Sequence, residues 1–466
     1  MKRYVVRGAW CVGLLLWTPL AAQTSLSIYR DGRVVVRRTL PQALQQGRNA
    51  LTLKLEALDP ATLFSTDTSV GVISATVRFP SSKDDALARA VGQTLSFLRQ
   101  DDDDKTSDTV RATVIRVDPP QYRLSDGRLM LELPGEPLFP AELVRSIPEA
   151  QIVLDAARAR PRTEIAYVAE GMTWEALYQV IVTGAKCQVS GTATITSQSL
   201  RSDTADVQLV AGAIQRTREP AAPAPSRLYG ARAANGVVAL QEKVEVSEQA
   251  VGETHVYQLP GRLSIEPNVP VTTALFPRSS APVTQELIVP GVVPWRGWIG
   301  QNPEPDKPPV QVWYTVKRAA KTAFGDRPLP AGTVQLYQAD SSGRLQLIGE
   351  AANDHTAPGR DLRVQSGDAF DVTAERVQTD YNQEQLPPQQ RGMPSRQRVT
   401  AAYRVTVTNA KSESVNVDVR ESHFGSWKIV ESSVPAEKLS STESRFRLLV
   451  PAGGSATLTY TVQIES

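Results

Sequence analysis

Sulfur and imidazole are scarce in this chain: two cysteines, four methionines and three histidines in 466 residues. Cys11 lies in an apolar N-terminal stretch, so the rest of the chain has only Cys187 and cannot form an internal disulfide. There is no Cys-x-x-Cys, no paired-histidine zinc motif, no nucleophile elbow, no phosphate loop and no dinucleotide fingerprint. Beyond Ala22 no stretch is long and apolar enough for a transmembrane helix, and there is no heptad pattern or internal repeat.

The N-terminus has a secretory layout. Lys2, Arg3 and Arg7 precede the apolar run Trp10–Trp17, followed by Pro19 and Ala21-Ala22, so a signal peptide over residues 1–22 is expected. Its removal takes 51 basic side chains to 48 against 49 acidic ones. A mature chain so near neutrality has no field to collect nucleic acid or an anionic surface.

Scarce Met with abundant Val, Thr and Leu favours strands. Hairpins are expected at Leu26–Val36 around Asp31-Gly32, at Tyr122–Leu133 around Asp126-Gly127, and between Val334-Leu336 and Leu345-Leu347. Leu129, Leu131 and Leu133 alternate after the second turn, and Ala456, Leu458, Tyr460, Val462 and Ile464 share one face of a final strand. Cys187 alternates with Val189 and reads as a buried small hydrophobe. One helix is expected over about 84–99, capped by Ser82, with Asp84 and Asp85 in its first turn and Leu87, Val91, Thr94, Leu95 and Leu98 along one stripe. It runs into Asp101–Lys105, whose contiguous carboxylates suit a solvated loop and lack the spacing of calcium ligands. Arg216–Gly230, Pro303–Pro309 and Asn382–Arg398 read as linkers or long loops.

The expected fold is all-β, a multi-domain sandwich architecture with one helix in the N-terminal half. Its divisions are residues 1–22 (signal), 23–148, 149–396 and an immunoglobulin-like unit at 397–466.

Candidate chemistry is sparse. His255, His355 and His423 are far apart in sequence, and a metal site would have to gather them from three places. Asp368, Asp371, Glu375, Arg376, Asp380 and Tyr381 form the densest polar cluster. Alternation there places Phe370, Val372 and Ala374 in a core and sends Asp371, Thr373 and Glu375 outward, with Glu375 and Arg376 in cross-strand ion pairs. In VVPWRGW, Trp295 and Trp298 flank Arg296 beside prolines and make a candidate contact patch; Trp174, Tyr178, Trp313 and Tyr314 read as buried anchors.

From Tyr167 onward the chain resembles a known family. Tyr167-Val168-Ala169-Glu170-Gly171-Met172-Thr173-Trp174, with Tyr178, is similar to the Y-x-x-x-G-(M/L)-x-W-x-x-x-Y signature of a bacterial domain of unknown function, the C-terminal part of mucoidy-inhibitor-A-like proteins. Leu209–Gly212, Tyr257–Pro260, Gly367–Val372 with Glu375-Arg376 and Thr379–Tyr381, and Trp427–Ser433 resemble later segments of that family in order. Long members have a coiled-coil insertion that this chain lacks, and the family has no established catalytic residues to carry over. The resemblance implies a β-rich exported protein.

Two functional expectations follow. The first is a non-enzymatic envelope protein, periplasmic or at the cell surface, without cofactor. It would dock to another envelope protein, a surface-layer or outer-membrane complex, or a second copy of itself. The second is a metal-dependent envelope enzyme such as a copper-type antioxidant, drawing ligands from the three histidines, Cys187, Met172 and Met393.

Overall fold

The computed structural model of the protein describes residues 24–55, 58–101, 104–212, 247–291, 300–302, 304–322, 324–387 and 396–465. The expected signal peptide, the Arg216–Gly230 segment and Met393 lie outside these residues. The chain is 65% strand and 3% helical, an all-β protein of several sheets. It divides into two compact units: residues up to Trp174 with Ile195–Val210 and Gly261–Val271, and Glu175–Thr194 with Ala211–Pro260 and Thr272 onward. Among the described residues no helix is long and apolar enough to cross a membrane.

The first unit begins with the expected hairpin. Strands Thr24–Tyr29 and Arg33–Thr39 pair with Leu26 opposite Val36 and Ile28 opposite Val34, and all four side chains are buried. Gly32, at φ +92°, supplies the left-handed turn residue. Strand Glu164–Glu170 extends this sheet antiparallel, and Ser202–Ala211 lies parallel to the first strand, with Thr24 opposite Ala205 and Tyr29 opposite Val210. A second sheet of this unit orders Gly47–Lys54, Glu149–Ala156 and Val70–Arg78.

The expected helix is half its length. Lys83–Arg89 is helical, and Ser82 closes a capping box with Asp85. Gly92, at φ +86°, then turns the chain, and Thr94–Asp101 is a strand with Leu95 and Phe97 buried on one face. Leu95 and Leu98 fit a helical stripe, but the buried pair Leu95 and Phe97 has period two; over so short a run the two periods overlap. Phe97 meets Tyr122 edge-on at 5.5 Å, in a core with Leu87, Ala90 and Val114. Thr94–Asp101 pairs antiparallel with Asp104–Arg116, Asp101 opposite Asp104. The Asp126-Gly127 turn forms as expected, but its second strand stops at Met130, leaving Leu129, Leu131 and Leu133 exposed.

In the second unit, Met172–Thr183 pairs parallel with Gly332–Ala339 from Ala176 onward, and Gly332–Ala339 forms the expected hairpin with Leu345–Asn353. Cys187 is buried with its Sγ 3.5 Å from the Ala281 carbonyl, and burial pushes its thiol up to about 11. Tyr178 stacks on Phe276, whose ring lies so close to Gly191 that a Cβ there would collide with it. The C-terminal part is a two-layer sandwich. A sheet ordered Val372–Leu386, Arg396–Asn409, Gly454–Glu465, Ser426–Ser432 packs on Val415–Ser422 and Glu443–Val450 around Val405, Val417, Phe446, Leu458 and Val462.

This core is wider than residues 397–466. Val372 and Ala374 join it, as do Leu287, Val289 and Val310. The Asn382–Arg398 segment, expected as a loop, is largely hairpin: Asn382 is opposite Thr400 and Leu386 opposite Arg396, with 388–395 outside the described residues. Its Gln-rich side chains are mostly solvent-exposed, where polarity does not oppose strand pairing. A division at 396/397 therefore falls within one hairpin.

Phe370 is not a core residue. The strand begins at Val372, and Phe370 lies before it in a bend, 95% exposed. Phe370→Ala should therefore shift unfolding free energy by no more than about 0.5 kcal/mol, whereas Phe446→Ala should cost about 3–5 kcal/mol. Denaturant unfolding of the two variants checks the contrast.

Candidate functional site

The expected contact patch Trp295, Arg296 and Trp298 falls in residues 292–299, outside the described residues. Among the described residues, Pro290, Gly291, Trp313, Arg363, Arg420 and Glu443 line a 230 Å³ pocket, with the Arg363 guanidinium 4.5 Å from the Trp313 ring centre. Trp174, Tyr178 and Tyr314 are buried as expected, while Trp313 is half-buried.

The fold brings two of the three histidines together. His255 and His355 both line a 320 Å³ pocket with Glu253, Tyr257, Leu329 and Thr356. His255 Nδ1 is 2.8 Å from Glu248 Oε1, and His355 Nδ1 accepts the Ala331 N–H at 3.3 Å. The latter bond puts any proton of a neutral His355 on Nε2. Tyr257 donates its hydroxyl to the Pro328 carbonyl at 3.0 Å, and burial pushes its phenol well above the ordinary value.

His423 is elsewhere, 2% exposed in the sandwich. Its Nε2 is 2.7 Å from Ser444 Oγ, its N–H donates to the Thr442 carbonyl, and its ring is 4.3 Å from that of Trp427. A Ser–His contact this deeply buried leaves no room for a substrate and is structural. Among the described residues, no group of three or more His, Cys, Asp and Glu side chains is arranged to hold a metal. Cys187 and Met172 are each buried.

The polar cluster around Arg376 corrects the expectation drawn from alternation. Val372, Ala374 and Arg376 share the inward face, so Arg376 points into the sandwich and not across an exposed pair. Its Nη2 and Nε donate to Glu421 Oε1 at 2.8 and 3.1 Å, Nη2 to the Pro290 carbonyl at 3.0 Å and Nη1 to Asp306 Oδ2 at 3.2 Å. The Arg376 and Glu421 side chains are 4% and 6% exposed. Burial pushes the Glu421 carboxyl up, opposed by Arg376 and by a hydrogen bond with Tyr460. Burial disfavours the Arg376 charge, yet Glu421 and Asp306 outweigh that and raise its pKa. Glu375 faces outward opposite Thr406, with no ion-pair partner among the described residues. The Arg376–Glu421 pair had a sequence signal: Val417, Val419 and Glu421 share one parity, so a carboxylate occupies a core position on a facing strand.

The start of the same strand borders a different feature, lined by both its buried and its outward residues. Pro308, Pro309, Val310, Ala369 and Val372 wall a 510 Å³ pocket rimmed by Lys307, Asp368, Thr373, Glu375, Thr406 and Thr408. Phe370 projects from the loop that supplies Asp368 and Ala369.

Two stability predictions follow from these buried groups. Glu421→Gln should cost about 3–5 kcal/mol by removing the buried carboxylate of the Arg376 pair, and the Arg376→Met, Glu421→Met double variant should recover most of that loss; denaturant unfolding across the cycle measures both. His423 has its pKa lowered to about 4 by burial, below the unfolded value of about 6.5. The unfolded chain thus binds more protons between these values, so the His423 contribution is complete above about pH 6.5 and is lost as pH falls, amounting to about 3 kcal/mol by pH 4. Unfolding free energies measured from pH 7 to pH 4 should decline less steeply in His423→Asn than in the parent.

No family model matches this chain, and no curated protein matches it.

Proposed function

We propose that this protein is a non-enzymatic docking component of the cell envelope that binds another envelope protein through the Phe370 loop. The observation that supports this reading is Phe370 itself. A side chain of that size at 95% exposure loses its transfer free energy to water unless a partner covers it. It projects beside a 510 Å³ pocket with apolar walls, the arrangement of an anchor flanked by a receptive cavity.

Charge narrows the partner. Asp368 and Glu375 rim the pocket with Lys307 as the one cation of its lining, so a segment carrying Lys or Arg next to an apolar side chain complements it. A second copy would oppose like charges there. The secretory layout of residues 1–22 and the family resemblance from Tyr167 onward support an envelope location, at the surface or in the periplasm.

The test is affinity purification from detergent-solubilised envelope with the parent chain, Phe370→Ala and Glu375→Lys. The parent should retain a defined partner, and both variants should lose it by about tenfold or more while melting at the parent temperature. Recovery of the chain alone from the parent, or undiminished retention by both variants, would overturn the reading.

A further inference from the structure

The first unit contains a pocket that none of the above uses. Leu26, Val36 and Tyr167 lie in one row across three paired strands, and all three are buried. The next row places Thr24 opposite Arg38. Because side chains two residues apart share a sheet face, an apolar row here is bordered by a cationic one. Met172 and Leu200, both buried, join the row, leaving a 290 Å³ cavity with Ser202, Asp203 and Thr204 along its side.

The charges at its mouth are unbalanced. Arg38, Lys54 and Arg201 line it against the single carboxylate Asp203. Arg38 Nη1 donates to the Lys54 main-chain carbonyl at 3.1 Å, which fixes the guanidinium at the rim. Among the described residues no carboxylate pairs with either Arg38 or Lys54. Arg201 is 3.9 Å from Glu266, and both side chains are exposed. Arg38 and Lys54, without a carboxylate partner among the described residues, stand over a floor of buried apolar side chains, and polar groups make up most of the lining around them. The cavity volume is at the lower end of the range of about 300–1,000 Å³, so the occupant is small.

We propose that this pocket binds a small organic anion with an apolar body, its head on Arg38 and Lys54 and its body on Leu26, Val36, Tyr167 and Leu200. A free carboxylate and the headgroup region of an anionic lipid share that chemistry. The inference is independent of the docking reading, which concerns the other unit.

Isothermal titration of the purified protein with octanoate, acetate and octanol separates head from body. Octanoate should bind, and acetate and octanol should each bind at least about tenfold more weakly. Lys54→Gln, at an exposed position, should weaken octanoate roughly tenfold without changing the melting temperature. Flotation with phosphatidylglycerol vesicles distinguishes the sources: Lys54-dependent flotation without octanoate binding points to the lipid, and octanoate binding without flotation to the free anion. Equal affinity for octanol and octanoate, binding unaltered in Lys54→Gln, or neither octanoate binding nor flotation would overturn the proposal.

Discussion

A guanidinium placed between two sheets must find acceptors there, because an unpaired buried charge costs several kcal/mol. Arg376 meets that demand with Glu421, Asp306 and the Pro290 carbonyl, which belong to three separate stretches of chain. The backbone adds a matching tie: Asp306 N–H donates to the Arg376 carbonyl at 2.8 Å, and Arg376 N–H to the Asp306 carbonyl at 2.7 Å. The proline-rich stretch after residue 303 has few amide donors to contribute to a sheet, and this side chain and its backbone pair tie it at Asp306. Pro308 and Pro309 then form a wall of the pocket beside the Phe370 loop, so the buried pair helps to place the candidate docking surface.

That arrangement also accounts for Phe370. The strand entering the core starts at Val372, and the chain reaches it through Gly367 at φ +145°, a conformation open to glycine. Ala369 N–H donates to the Val310 carbonyl and the Asp371 carbonyl accepts from Ala410 N–H, so the loop is tied on both sides of Phe370 while its ring is turned out to solvent. Rigid strands on both sides hold the exposed side chain at a defined place, as recognition loops on sandwiches generally require.

Much of the fold was legible because burial on one face writes period two into the sequence. The hairpin at Gly32, the strand Gly332–Ala339 and the strand Gly454–Glu465 all carry it. It failed where a second period fitted equally well, at Leu95 and Leu98. It failed again at Leu131 and Leu133, which alternate yet lie beyond the end of their strand and bury against nothing. Phe370 misled for a related reason: parity with Val372 means nothing once the residue precedes the strand. The site was less legible. Arg376 and Glu421 each occupy a core parity, but their meeting depends on which strands face each other, and that is set by topology. The gathering of His255 and His355 in one pocket, 100 residues apart in sequence, is likewise set by topology.

The parallel pairing of Thr24–Tyr29 with Ala205–Val210 gives the molecule a history as well as a shape. Ser27 hydrogen-bonds Gln208, 181 residues away. At ribosomal rates of about 5–20 residues per second, the strand made first waits about 10–40 s for its second neighbour. For that interval its hairpin with Arg33–Thr39 presents an open apolar edge, the kind of template on which other chains can assemble. The first unit cannot mature in step with its own synthesis; it must be kept from pairing wrongly until the chain returns to complete it.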